Sequence, residues 1–297
     1  MRILFITSNR LGDAVLSTGL LDHLIRTHPD ARITIACGPV AEGVFARMPN
    51  RERTIVLEKH RWRFHWLPLW ASVVTTRWDL VVDIRASTIA WLLPARRRVV
   101  MRRRPGHKIE QLAAILGLDP PPLPVAWTAA EDRARAAALL PAGRTLIGLG
   151  PTANWAPKVW PADRFAELYR ALLERLPGAI PVVFAGPGAT ERAMAAPLLA
   201  ALPEAINLVG RLSVPEVAAC FARCALFVGN DSGLMHLAAS AGTPTLGLFG
   251  PTPVREYAPA GPNATTAVSI SGHMLDLSVA DALTAAAAPL RQRESVG

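Results

Sequence analysis

The sequence predicts an α/β protein built as two doubly wound domains. Three observations carry that expectation. Apolar, strand-like runs alternate with helical patterns, the alternation starts over midway, and a proline-rich stretch separates the two series. RILFIT (2–7) is a continuous apolar run closing on a polar loop, the pattern of a central parallel strand. Leu16, Leu20, Leu21, Leu24 and Ile25 follow at helical spacing and stop near His28-Pro29. ARITIAC (31–37), RTIVLE (53–58), DLVVDI (79–84) and RRVVM (97–101) read as further strands, with helical stretches between most of them. HKIEQLAAILGL (107–118) closes the first series as a helix.

DPPPLPVAW (119–127) carries four prolines, which neither pair inside a sheet nor extend a helix, so it reads as an interdomain linker. EDRARAAALL (131–140) is a helix placed at the hinge. The pattern then restarts with a strand, TLIGLG (145–150), and the amphipathic helix DRFAELYRALLERL (163–176). PVVFAG (181–186), a helix through Arg192 and Leu199, AINLVG (205–210) and a helix from about Ser213 follow. ALFVGN (225–230), the helix of DSGLMHLAASAG and the strand TPTLGLFG (243–250) complete the series. The expected division is 1–142, including a linker over 119–142, and 143–297 with a helix at its C-terminal end. Sheets of this kind bind ligands beyond the carboxyl ends of their strands, which makes the following loops the informative ones.

Composition limits the function classes. The chain has 297 residues, 51% hydrophobic and 19% charged, enough for a buried core and unlike a disordered chain. The apolar run at the start is too short and too interrupted for a signal peptide, and no later stretch reaches membrane-spanning length, so a soluble protein is expected. Cys37, Cys220 and Cys224 are an odd number without metal-ligand partners; they read as core residues in a reducing cytoplasm. Cys220 and Cys224, four apart, are expected on one helix face.

The net charge of +9 points to anionic partners, and much of it sits in Arg96, Arg97, Arg98, Arg102, Arg103 and Arg104. That run reads as a solvated face, a nucleic-acid contact or a contact with acidic lipids. Upstream, Lys59, His60, Arg61 and Arg63 interleave with Trp62, Phe64, Trp66 and Trp70, a pattern that suits either a membrane interface or ordinary packing.

Three loops carry candidate chemistry. In SNRLGDAVLST (8–18), Gly12 permits a tight turn and Asp13 reads either as a helix N-cap or as a general base at the mouth of a cleft; spacing alone favours the cap. In GPTANWAPKVWPADRF (150–165), Thr152 and Asn154 offer polar contacts and Lys158 a point charge for phosphate, with Trp160 as a packing anchor. In VGNDSGLMHLAASAGTP (228–244), Ser232 and Gly233 would present helix-start N–H groups to an anion. Asp231 or Ser232 also reads as a cap there, and His236 as a half-buried core residue one turn on. No G-x-G-x-x-G follows the first strand, and no P-loop, H-E-x-x-H or paired-cysteine motif occurs. These absences argue against hydride and phosphoryl transfer and leave a nucleotide-sugar enzyme as a natural candidate.

RILFITSNRLGDAVLSTGLLDHL, PTANWAPKVWP and FVGNDSGLMHLAASAGTPTLGLFGPTPVREYAP, taken together and in order, resemble the lipopolysaccharide heptosyltransferases of glycosyltransferase family 9. The resemblance runs from about residue 2 to about residue 260 and is weakest at 50–130. It implies a GT-B architecture, two Rossmann-like domains facing across a cleft, and no cofactor or metal. It also implies inverting transfer of heptose from ADP-heptose to the lipopolysaccharide inner core. By that resemblance Asp13 matches the catalytic base and Lys158 the residue that meets the donor phosphates. Asp231, Ser232, Gly233 and His236 match the donor-binding loop and helix, Glu191 the ribose contact, and Leu212 the backbone beside the base.

A lipid-anchored, phosphorylated acceptor would explain the basic N-terminal half through peripheral contact with the anionic inner membrane, from the cytoplasmic side, and no nucleic acid is expected. The competing readings are a same-fold glycosyltransferase with another donor and acceptor, a nucleotide-sugar epimerase, and a non-catalytic nucleotide-binding module.

Overall fold

A computed structural model describes residues 1–58, 66–102 and 104–294, the last four by backbone alone. Lys59 to Phe64 of the tryptophan-arginine segment, and Arg103, lie outside the described residues. The chain divides into two compact units, Met1–Trp127 and Thr128–Gly297.

The first unit runs β1 (Arg2–Ile6), α1 (Leu11–Leu16), α2 (Thr18–Thr27), β2 (Arg32–Cys37), α3 (Pro39–Glu42), β3 (Arg51–Val56), α4 (Trp66–Val73), β4 (Trp78–Asp83), β5 (Ala95–Val100) and α5 (Lys108–Ala113). Its parallel sheet has the order β3-β2-β1-β4-β5. Ile3, Leu4, Phe5 and Ile6 of β1 are fully buried, as a strand covered on both faces requires.

The leucine-spaced helix is broken in two at Ser17. There the Ser17 hydroxyl bonds Ala14 O at 2.7 Å and the Thr18 hydroxyl bonds Val15 O at 2.7 Å, competing with the helical ladder. Gly19 lets α2 approach the proline-rich strand closely: a Cβ there would sit 2.5 Å from Pro122 O. Val125 N also donates to Thr18 Oγ1 at 2.8 Å. Residues 119–127 therefore pack onto the first unit.

The second unit runs α6 (Ala130–Leu139), β6 (Leu146–Gly150), α7 (Ala162–Leu172), β7 (Ile180–Val183), α8 (Ala189–Ala201), β8 (Ile206–Asn207), α9 (Val214–Phe221), β9 (Leu226–Asn230), α10 (Gly233–Ser240), β10 (Thr245–Phe249), α11 (Val254–Tyr257), β11 (Ala264–Val268) and α12 (Val279–Glu294). Its parallel sheet has the order β11-β10-β9-β6-β7-β8. The three central strands β6, β9 and β10 are buried throughout. Helix α7 turns Phe165, Ala166, Leu168, Tyr169 and Leu172 into the core, the stripe its sequence period specifies. Helix α6, assigned from sequence to the linker, packs against α9 of this unit.

The strand expected over 205–210 shrinks to two residues, and the helix expected over 107–118 stops at Ala113. Helix α9 ends at Phe221, so Cys224 lies in the following turn, where its thiol meets Cys220 O at 3.5 Å, instead of sharing a helix face with Cys220. All three cysteines are buried; burial pushes the Cys37 thiol up to about 12 and the Cys220 thiol up to about 11. Among the described residues no helix is long and apolar enough to cross a membrane.

The two sheets repeat one topology. The chain winds outward from β1 to β3 on one side, then crosses to β4; likewise it winds from β6 to β8, then crosses to β9. Each sheet thus has a switch point, between β1 and β4 and between β6 and β9, where the following loops diverge and leave a crevice.

Candidate active site

At the first switch point β1 leads into the loop bearing Asp13. Asp13 is the third residue of α1, and the N-cap is Arg10, with extended backbone at φ −97° and ψ 139°. The cap reading of Asp13 is therefore corrected. The loop turns three residues earlier than that reading needs, with Arg10 N donating to Ser8 Oγ at 3.1 Å. The Asp13 carboxylate accepts from Ser8 Oγ at 3.2 Å and stays partly exposed, as does Gly12 before it.

Asn9 is where three strand ends meet. Gly38, just past β2, leaves it room, since a Cβ there would sit 2.6 Å from Asn9 Oδ1. From beyond β4, Arg85 Nη1 donates to that oxygen at 2.9 Å. Asp83, the last residue of β4, fixes the Arg85 loop. It accepts from Arg85 N at 2.8 Å, Ser87 N at 2.8 Å and Ser87 Oγ at 2.5 Å. The turn includes Ala86 at φ 53°, a left-handed conformation that a non-glycine residue holds only when its surroundings enforce it. Burial pushes the Asp83 carboxyl above its ordinary value, against those hydrogen bonds, and pushes the Arg85 guanidinium below its own.

At the second switch point the loop after β6 is held by Trp160. This side chain is fully buried, donates from Nε1 to Leu277 O at 3.0 Å and meets Phe165 edge-on at 5.2 Å. Its backbone N donates to Asn230 Oδ1 at 3.0 Å, tying the loop to the end of β9. Two residues back, Lys158 ends a 3-10 turn (Ala156–Lys158), its N bonded to Trp155 O at 3.0 Å. Anchored on both sides, Lys158 Nζ reaches Asp231 Oδ2 at 2.6 Å. The two side chains are only 19% and 7% exposed.

His236 Nε2 lies 4.0 Å from the other Asp231 oxygen, and His236 is buried more deeply than the half-buried position expected of it. Ser232 is the N-cap of α10 but makes no side-chain cap bond. Its Oγ, Asn230 Nδ2 and Thr252 Oγ1 are buried without a hydrogen-bond partner among the described residues. Polar atoms left this way in a native fold mark a place where something else bonds them. The first N–H groups of α10, starting at Gly233, lack intrahelical acceptors, as at any helix start.

Thr152 is buried and Asn154 exposed in the Lys158 loop. Glu191 folds back over the turn after β7, where a Cβ on Gly188 would sit 2.2 Å from its Oε2. Leu212 is partly buried between β8 and α9. Among the described residues no hydrogen bond or ion pair joins Glu191 or Leu212 to the Lys158–Asp231 pair; both lie beyond the carboxyl ends of the same sheet.

The model of the family described as glycosyltransferase family 9 (heptosyltransferase) matches residues 94–286. The chain belongs to glycosyltransferase family 9. This glycosyltransferase is 25% identical to lipooligosaccharide heptosyltransferase 2 of Haemophilus influenzae, over 95% of its own length and 92% of the relative's. It superposes on a family 9 glycosyltransferase from Veillonella parvula with a TM-score of 0.84 at 22% identity, covering 98% and 97% of the two chains. It superposes on the ADP-heptose heptosyltransferase II of E. coli with a TM-score of 0.80 at 23% identity, covering 99% and 100%. The shared fold is GT-B, with its two Rossmann-like units.

Asn9, Asp83, Arg85 and Ser87 were not singled out from sequence. The available signal was the D-x-R-x-S spacing after DLVV: a carboxylate at a strand end whose own loop returns N–H groups two and four residues later.

Replacing Lys158 by alanine leaves the Asp231 carboxylate buried and unpaired, and is expected to cost on the order of 2 kcal/mol. Denaturant unfolding of Lys158→Ala, Asp231→Ala and the double variant checks this. The double variant should be more stable than the sum of single losses implies, and strict additivity would show that the pair is uncoupled.

Proposed function

We propose that this glycosyltransferase moves a heptose from ADP-heptose, or a related nucleotide sugar, onto a lipopolysaccharide core acceptor with inversion at the anomeric carbon. The observation that carries the reading is the Lys158–Asp231 contact of 2.6 Å at the start of α10, on a chain of this family. A lysine held by a carboxylate beside unsatisfied donors suits an incoming diphosphate, whose oxygens accept from Lys158, from Ser232 Oγ and from the first N–H groups of α10. Support for the donor and acceptor classes comes from the names of the relatives, which are lipooligosaccharide and lipopolysaccharide heptosyltransferases.

In the proposed reaction Asp13 takes the proton from an acceptor hydroxyl as that oxygen attacks the anomeric carbon. The bond from that carbon to the diphosphate oxygen breaks on the opposite face, through an oxocarbenium-like state. Lys158 and the α10 N-terminus stabilise the negative charge that develops on the departing nucleoside diphosphate. Glu191 holds the ribose, the backbone at Leu212 meets the base, and Gly12, Thr152, Asn154 and His236 complete the substrate contacts. The two units are proposed to divide the work, acceptor on the first and donor on the second.

A lipid-anchored acceptor suggests peripheral contact with the inner membrane from the cytoplasmic side. Support comes from Trp91 and Leu92, 66% and 63% exposed on a turn that Arg98 fixes by donating to Ala90 O and Leu93 O. Arg96 and Arg97 are exposed just beyond them on the edge strand β5. Indole rings beside arginines suit a headgroup layer.

Calorimetric titration should show ADP-heptose and ADP binding in preference to UDP-glucose and GDP-mannose, with binding lost in Lys158→Ala. Preference for another nucleotide sugar would keep the mechanism and discard heptosyl transfer. Asp13→Asn should lower kcat by about 10²- to 10⁴-fold with folding intact, and near-wild-type turnover would remove Asp13 from the role of base. In sedimentation with anionic vesicles, Trp91→Ser/Leu92→Ser should reduce the bound fraction, whereas unchanged binding would rule this turn out as the contact.

A further inference from the structure

The geometry points to Arg85 as the residue that receives an anionic group of the acceptor, beside the Asp13 loop, and so helps select an acidic glycan. This rests on the reading of the first unit as the acceptor side. Arginine carries five N–H donors in a planar fork suited to carboxylate and phosphate oxygens. Among the described residues the Arg85 side chain gives one hydrogen bond, to the neutral Asn9 side chain at 2.9 Å. Among the described residues it makes no ion pair. The nearby Asp83 carboxylate is already engaged by two backbone N–H groups and the Ser87 hydroxyl.

One face of the fork is covered by the Trp66 ring, with Arg85 Cζ 5.1 Å from its centroid. Stacking of that kind holds the plane and leaves the guanidinium edge available for in-plane bonds. A cation partly removed from water without a bonded anion is costly unless a ligand supplies one. The loop that carries it is overdetermined: three hydrogen bonds to Asp83 and a left-handed Ala86 fix its path. The position is specific as well. Asn9 precedes Asp13 by four residues and follows Ser8, whose hydroxyl bonds the Asp13 carboxylate at 3.2 Å. Arg85 and Asp13 therefore flank the same switch-point crevice, from β4 and β1 respectively. A sugar presenting its hydroxyl to Asp13 would place a phosphate or a carboxylate on a neighbouring position within reach of this fork.

The test is equilibrium binding, without donor, of a lipid-free phosphorylated inner-core oligosaccharide to the full chain. The same oligosaccharide is also used after phosphatase treatment and after reduction of its carboxylates to alcohols. Arg85→Ala should weaken binding of the intact oligosaccharide by about 10- to 100-fold, the worth of a charge-assisted hydrogen bond. Arg85→Lys, which keeps the charge, should recover part of the loss. The difference between wild type and Arg85→Ala should disappear on whichever treated oligosaccharide lacks the recognised group, which identifies phosphate or carboxylate as its source.

An equal loss on all three oligosaccharides would overturn the proposal, because Arg85 would then only be shaping the Asn9 loop. No loss in Arg85→Ala would overturn it as well. Failure of wild type to bind any of the three would instead overturn the acceptor reading on which the proposal stands. Circular dichroism melting of both variants shows that the comparison is between folded proteins.

Discussion

The second unit is organised around one ammonium and one carboxylate kept together where two strands part company. Lys158 and Asp231 lie 73 positions apart in the chain and meet at 2.6 Å. Bringing them together demands that the loop after β6 be stiff, which is why Trp160 is driven into the core and bonded at both its nitrogens. It demands that β9 end in Asn230, whose side-chain amide oxygen takes the Trp160 backbone N–H and whose neighbour supplies the carboxylate. The core beneath, from Leu149 to Val228 and Leu248, gives both loops a common floor. A buried pair of this sort adds little stability of its own, because desolvation offsets most of the attraction. On the proposed reading, its use is to hold the lysine in a fixed place, ready for a diphosphate of greater charge.

The first unit handles charge in the opposite way at the equivalent place. Asp83 is also a carboxylate at the end of a central strand, yet it is consumed by its own loop, and the neighbouring cation is left to a neutral amide and an aromatic face. One topology thus supports two chemistries. A paired lysine beside a helix start suits a mobile diphosphate that must be released. An arginine fork on a rigid turn suits an anion fixed on a larger molecule, whose position relative to one hydroxyl matters.

Most of the scaffold could be read from the sequence because the central strands are buried on both faces and so appear as unbroken apolar runs, such as RILFI and ALFVGN. What sequence misplaced was governed by local competition or by long-range contact. Ser17 and Thr18 cut a helix whose leucines keep perfect spacing, since hydroxyl bonds to backbone carbonyls leave no trace in hydrophobic period. The segment 119–127 reads as a linker from its prolines, but Gly19 and Thr18 show where it packs. Lys158 and Asp231 were each visible in their loops, whereas their pairing needed the strand order. Asp83 and Arg85 escaped notice because a charged residue ending an apolar run looks like the edge of a strand until its neighbours return to bond it.

Asn9 suggests why the two charged groups of the first unit are kept apart. A general base must offer a lone pair to the acceptor hydroxyl, and an arginine bonded directly to that carboxylate would compete for the same oxygens. Arg85 makes no ion pair with Asp13; Asn9 accepts its N–H instead, and a serine hydroxyl is the partner at the carboxylate. Gly38 is the cost of this arrangement in sequence terms, since no side chain fits where Asn9 lies. On the proposed roles of Asp13 and Arg85, giving the cation a neutral amide as its partner would let one crevice both attract an acidic sugar and deprotonate it, two demands that a direct salt bridge would set against each other.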